Sequence, residues 1–301
     1  MTSVEGSQVR RGYTSPRLPG GPRVAAAAGT EKFSDFTYHG GPVIDTPQLH
    51  LLFVGDWSSE DNQNRLRRLT QFVTDLLNSR YMNILSQYGC GTTGTVASTT
   101  TVPAPDSDLS GAELRNVIQT AINNGSIPEP TDQATCALLY LDDATAVNDP
   151  DTGVVMCEAT SDNAFGYHDH FVTTAGNTYP FAVVPGLTDA CLLKTCPGGG
   201  AGCSLHLSAT QEQRQTQVTS HELSEMFSNP LVGSNEAWSR PVFFPGDPHE
   251  NGDICNGQSA TITVGSNTWT VQRMYSKTDD MKSKGAMTCI ADSDPLPSLL
   301  P

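Results

Sequence analysis

Apolar residues gather along the chain in two rhythms. Apolar runs at 49–54 (interrupted only by His50) and at 135–141, "TCALLYL", predict buried strands. Spacing near 3.6 predicts a helix carrying Leu66, Leu69, Phe72, Val73, Leu76 and Leu77 on its inner side, capped by Ser58 or Ser59. A second helix, burying Leu114, Val117, Ile118, Ala121 and Ile122, starts at a Ser110/Glu113 capping box and stops at "NNG". A short helical piece over 81–88 ends at Gly89, and the Gly/Thr-rich stretch after it reads as strand or loop. "HDHFVTT" and "YPFAVVPG" add shorter strands expected near a sheet edge, and "ATITVGSNTWTVQRMYS" reads as a hairpin about Gly265-Ser266-Asn267.

A third helix is less ordinary. Ser208 and Gln211 are suited to cap its start, and Asn229-Pro230 ends it. Leu223, Met226 and Phe227 form a core face, while Val218, His221, Glu222 and Glu225 share the neighbouring one. Such a polar face is either solvated or grips something. The order strand, helix, possible strand, helix, strand predicts an α+β architecture. Its parts are a mixed β-sheet packed with helices, a zincin-like active-site helix, Cys-rich loops and a C-terminal hairpin. The expected division is a disordered tail or pro-segment over 1–35, one domain over 36–290 and a flexible tail over 291–301.

Composition narrows the setting. The chain has 301 residues, a formal net charge of -15 and 37% hydrophobic residues, enough for a core. The negative balance argues against nucleic acid or an anionic membrane surface as partner. No run of 18 apolar residues exists, so no membrane span is expected. The eight cysteines fit disulfides in an oxidising compartment, since no C-x-x-C pair occurs. Cys196 and Cys203 flank a "PGGGAG" loop able to close, and a Cys255–Cys289 bridge would bracket the terminal hairpin. Secretion is expected, although Arg10, Arg11, Arg17 and Arg23 are not followed by the apolar segment of a signal peptide.

The chemistry concentrates in "VTSHELSEMFSNP". His221 and Glu225, four apart, project together and can chelate one divalent ion, with Glu222 beside them as general base on a metal-activated water. This is the logic of the H-E-x-x-H metallopeptidase helix with glutamate in place of the second histidine. Zinc requires a third protein ligand, and "DPHENGDIC" offers His249, Glu250 and Asp253. His168 and His170 share one face of a strand, as a second metal site, a substrate-contacting edge or a plain surface pair. Serine-nucleophile and phosphate-loop motifs are absent.

"YHGGPV", a strand ending in "GDW", "HELSEMFSNPLVGSNEAW", "ENGDICNG", "WTVQRMYS" and a late "AMTC" follow one another in an order that resembles the EXORDIUM / phosphate-induced protein family, from about Tyr38 to Cys289. The resemblance implies a secreted protein tied, in plants, to growth and the apoplast. It places His221, Glu222 and Glu225 on the family's helix motif, Glu250 and Asp253 on its downstream acidic segment, and His168 on a recurring histidine. His249 falls outside the pattern. The reading is a secreted zinc-dependent metallopeptidase-like hydrolase with one Zn2+ per chain, acting on an extracellular protein or peptide. The competing readings are a non-catalytic extracellular EXORDIUM-like binding or growth-signalling protein and a metal-dependent hydrolase of another amide or ester.

Overall fold

The computed structural model describes residues 33–149, 153–157, 163–195, 207–243, 248–283 and 288–301. The first apolar run forms β1 (Gln48–Val54) and leads into helix α1 (Glu60–Leu77), whose first turn is capped by the Ser59 side chain accepting from the Asn62 N–H. A 3-10 helix, Met82–Tyr88, stops at Gly89 in the left-handed region. Strand β2 (Thr95–Val102) follows, then helix α2 (Gly111–Asn123) behind the expected capping box, then β3 (Thr135–Leu141). Strands β4 (Tyr167–Val172) and β5 (Thr178–Val184) precede the short helix α3 (Asp189–Thr195) and the long helix α4 (Gln211–Ser228). The one-turn helix α5 (Asn251–Ile254), the hairpin β6 (Ser259–Val264) and β7 (Asn267–Gln272), and helix α6 (Lys277–Ser283) complete the main elements.

The central sheet has the order β2-β1-β3-β5-β4. Neighbours are parallel except β5 and β4, which pair antiparallel from Thr178/Val172 to Val183/Tyr167. A small four-stranded sheet built from 108–109, 146–149, 154–156 and 163–164 lies apart from it. Strands β1 and β3 read as unbroken apolar runs because both faces of the sheet are covered. Leu49, Leu51 and Phe53 pack with Leu69, Phe72, Val73 and Leu76 of α1 and Val218, Leu223, Met226 and Phe227 of α4. Leu52 and Val54, one residue out of phase, pack on the opposite side with Leu114, Val117, Ile118 and Ala121 of α2.

The expected edge strands and the expected helix cap meet different outcomes. "HDHFVTT" and "YPFAVV" do lie at and next to a sheet edge: β4 takes the edge, and β5 lies one strand in, buried from Tyr179 to Val184. Helix α4 is capped by Thr210, reciprocally with Gln213, rather than by Ser208 with Gln211. Two overlapping S/T-x-x-Q frames compete there, and Gln211 is engaged elsewhere, donating to Asp143 Oδ1 and the Gly186 carbonyl at 2.6 Å each. Phe36 is wholly buried against Tyr88, Trp238 and Tyr275, and Leu299 N–H donates to the Gln87 carbonyl at 2.7 Å.

Disulfides join Cys157 to Cys191 and Cys255 to Cys289, while Cys90 and Cys136 are buried thiols. The Cys196/Cys203 loop lies outside the described residues. The Cys255–Cys289 bridge closes a 34-residue separation that holds the hairpin. Replacing both cysteines by serine is expected to lower unfolding free energy by about 3–4 kcal/mol, the chain-entropy value for such a loop. Guanidinium unfolding of the two proteins measures it, and an unchanged midpoint would show that the loop is already constrained without the bridge.

Candidate functional site

Helix α4 carries its polar residues into the interior. From Arg214 to Ser228 every residue is buried, because β5 and β4, the hairpin strand β7, α5 and α1 all pack on it. Its polar face is therefore not a solvated one. Buried polar groups must find partners, and many do. Ser220 Oγ accepts from Gln272 N–H at 2.9 Å, Thr216 Oγ1 donates to the Thr270 carbonyl at 2.7 Å, and Thr219 Oγ1 lies 2.8 Å from Tyr140 Oη.

The charged residues converge in a different way. His221 Nε2 lies 3.1 Å from Glu225 Oε1, one helical turn on, and 3.9 Å from Asp253 Oδ1. His168 Nε2, arriving from β4, lies 3.0 Å from Glu250 Oε2 and 3.9 Å from Glu225 Oε2. Two donor sets result, each with ligand atoms within 4.8 Å of one another: His221, Glu225 and Asp253, and His168, Glu225 and Glu250. Of these side chains only Asp253 reaches any solvent, at 11%; the other four are at 0%. Among the described residues, His221 Nε2 and Glu225 Oε2 have no hydrogen-bond partner despite complete burial.

Local structure aims these groups. Asp253 Oδ2 accepts from the His249 N–H at 3.0 Å, which leaves Oδ1 toward His221. The Asp253 N–H in turn donates to Glu225 Oε1 at 3.0 Å. Asn229, the residue ending α4, donates from Nδ2 to Glu250 Oε1 at 2.8 Å and accepts from the Ala237 N–H at 2.7 Å. Gly252 lets α5 approach the helix: a Cβ there would sit 2.7 Å from Glu225 Oε1 and 3.0 Å from the His221 ring. Gly166 does the same beneath Glu222, where a Cβ would meet Oε1 at 2.8 Å.

Gln272 of β7 governs the His221 tautomer. Its Nε2 lies 2.8 Å from the Gly252 carbonyl, which it can only approach as donor, and 2.7 Å from His221 Nδ1. With the amide so placed Nδ1 accepts, and the neutral ring carries its proton on Nε2. Turning the amide end for end gives up the bond to Gly252, makes Nδ1 the donor and frees the Nε2 lone pair for a cation.

Crowding of like charges has the expected electrostatic result. Burial pushes the Glu225 carboxyl well above its usual range, and the Asp253 and Glu250 charges add to it. Burial also raises Asp253, with the Glu250 charge adding while His221 and His249 oppose. Burial works to lower His168, but the charge and hydrogen bond of Glu250 outweigh it and hold the imidazole above its ordinary value.

The residues named from sequence thus divide. His221, Glu225, Asp253, Glu250 and His168 meet, and Glu222 lies on the same buried helix face against Gly166. His170 stays out: its Nε2 lies 3.1 Å from Ser234 Oγ. His249 also stays out, with Nδ1 2.7 Å from the Arg240 carbonyl and Nε2 3.3 Å from Glu236. Sequence reasoning missed Gln272, Asn229, Gly252 and Gly166. The only signal for Asn229 was its place before a proline, which read as a helix stop.

Among curated proteins the chain is similar to Protein EXORDIUM-like 5 of Arabidopsis thaliana, with 25% identity over 305 residues covering 90% of this chain and 79% of the relative. No family model matches the chain, and no solved structure matches it. The extended similarity supports membership of the EXORDIUM family.

Proposed function

We propose that this EXORDIUM-family chain is a secreted zinc-dependent hydrolase of metallopeptidase type, with His221, Glu225 and Asp253 holding the ion and Glu222 as general base. The observation that carries the proposal is the convergence of an imidazole and two carboxylates within 4.8 Å, with His221 Nε2 and Glu225 Oε2 buried and lacking hydrogen-bond partners. Buried polar atoms are rarely left so in a folded protein. One nitrogen and two oxygen donors suit zinc, whose catalytic sites keep three protein ligands and one open position. When bound, zinc would polarise a substrate carbonyl and bring the attacking water toward ionisation at neutral pH.

The chain's own groups supply the rest. Glu222 would take the proton from the attacking water and deliver it to the leaving amine. Gln272, 2.7 Å from Nδ1, fixes the orientation of the His221 ring. Strand β4 pairs only with β5 among the described residues, so its outer edge offers backbone groups to an extended extracellular peptide. The two disulfides favour an exported protein, and no helix among the described residues is long and apolar enough to cross a membrane. A second reading is favoured by the complete burial of His221, Glu222 and Glu225: a non-catalytic EXORDIUM-like protein that retains the ion as a structural element.

The test is elemental analysis of the full chain together with hydrolysis of a quenched fluorescent peptide library. Bound zinc, and cleavage lost with a chelator and restored by zinc, are the expected results. Bound zinc without cleavage of any peptide supports the structural-ion reading, and the absence of bound metal at saturating zinc overturns both. Gly252→Ala supplies a local check. Its methyl group would press Glu225 and His221 apart, at about 1–3 kcal/mol for overpacking, so zinc affinity should fall about tenfold or more by competition with a chromophoric chelator. An unchanged affinity would remove Glu225 from the ligand set.

A further inference from the structure

The second donor set has no task in a one-zinc centre. His168, Glu250 and the Glu225 Oε2 oxygen gather on the far side of Glu225 from His221. Glu225 presents one oxygen to each set, Oε1 at 3.1 Å from His221 Nε2 and Oε2 at 3.9 Å from His168 Nε2. We propose that the site binds two divalent transition-metal ions, one held by His221 and Asp253, the other by His168 and Glu250, with the Glu225 carboxylate bridging them. This deepens the proposed function and rests on its first metal site.

The support is geometric. A tetrahedral zinc at about 2.0–2.1 Å from its ligands sets them about 3.3 Å apart; the histidine–carboxylate separations of 3.0–3.9 Å bracket that spacing, and all ligand atoms of each set lie within 4.8 Å of one another. Glu225 Oε2, the oxygen turned toward His168, is buried and has no hydrogen-bond partner among the described residues. A carboxylate with one oxygen on each of two ions is the arrangement that lets a two-metal centre hold its ions about 3.5–4 Å apart.

The experiment is zinc stoichiometry by mass spectrometry on full-length protein, saturated with excess zinc and desalted. Two ions per chain are expected for the native protein and one for His168→Ala. Cobalt loading gives a second readout that needs no variant: at two equivalents the electron paramagnetic resonance signal per cobalt should fall, through coupling across the shared carboxylate. One zinc per chain, with His168→Ala unchanged, would overturn the second ion and leave the proposed one-zinc function standing. Two per chain in both proteins would overturn the placement at His168, and no bound zinc would overturn both proposals. If His168→Ala fails to fold, the native stoichiometry and the cobalt signal decide.

Discussion

Replacing Glu222 by glutamine is expected to lower peptide turnover by about 10²–10⁴-fold, the usual contribution of a positioned general base. Glutamine matches glutamate in volume and keeps a carbonyl oxygen, so the close packing against Gly166 is retained. What it loses is the ability to accept a proton. The effect should therefore fall on kcat with KM little changed, as for an interaction made only in the transition state. Zinc content should stay at the native level, because Glu222 belongs to neither donor set. Undiminished turnover would remove Glu222 from the mechanism. Loss of zinc in the variant would instead place Glu222 among the ligands.

Zinc itself is expected to raise the melting temperature of the native protein by about 5–15 °C, and that of Glu225→Ala by almost nothing. A ligand at a thousandfold excess over its dissociation constant stabilises the folded state by about 4 kcal/mol. Each kcal/mol shifts the midpoint by about 2–4 °C in a domain somewhat smaller than this one. Glu225 belongs to both donor sets, so its loss should uncouple folding from zinc. The metal-free variant should fare comparatively well, since deleting one carboxylate relieves repulsion with Asp253 and Glu250. Differential scanning fluorimetry with and without zinc measures both shifts. Equal shifts in the two proteins would show that zinc acts elsewhere.

Much of the scaffold was legible in the sequence. The helices carrying Leu69, Phe72 and Val73 and Leu114, Val117 and Ile118 announce themselves by spacing and caps, because helix formation is decided by residues three and four apart. The runs at 49–54 and 135–141 marked buried strands for the same local reason. The pairing of His221 with Glu225 was equally local, one turn of one helix. Cys255 and Cys289, read as a bracket around the hairpin, do form a bridge.

Tertiary structure alone decided what lies around that turn. The polar face of α4 is buried because the hairpin and α5 close over it, and no window on the helix sequence contains those partners. Gln272 reaches His221 across 51 residues, Asp253 meets Glu225 across 28, and His168 meets Glu250 across 82. Which of Glu250 and Asp253 stands beside His221 was open in the sequence, since both lie in one short acidic segment. The turn of α5 separates them, sending Asp253 toward His221 and Glu250 toward His168. Sequence determined which side chains α4 offers, because that depends on neighbours within a turn. The fold determined whether they face water, one another or a cation, because that depends on segments brought together only by packing.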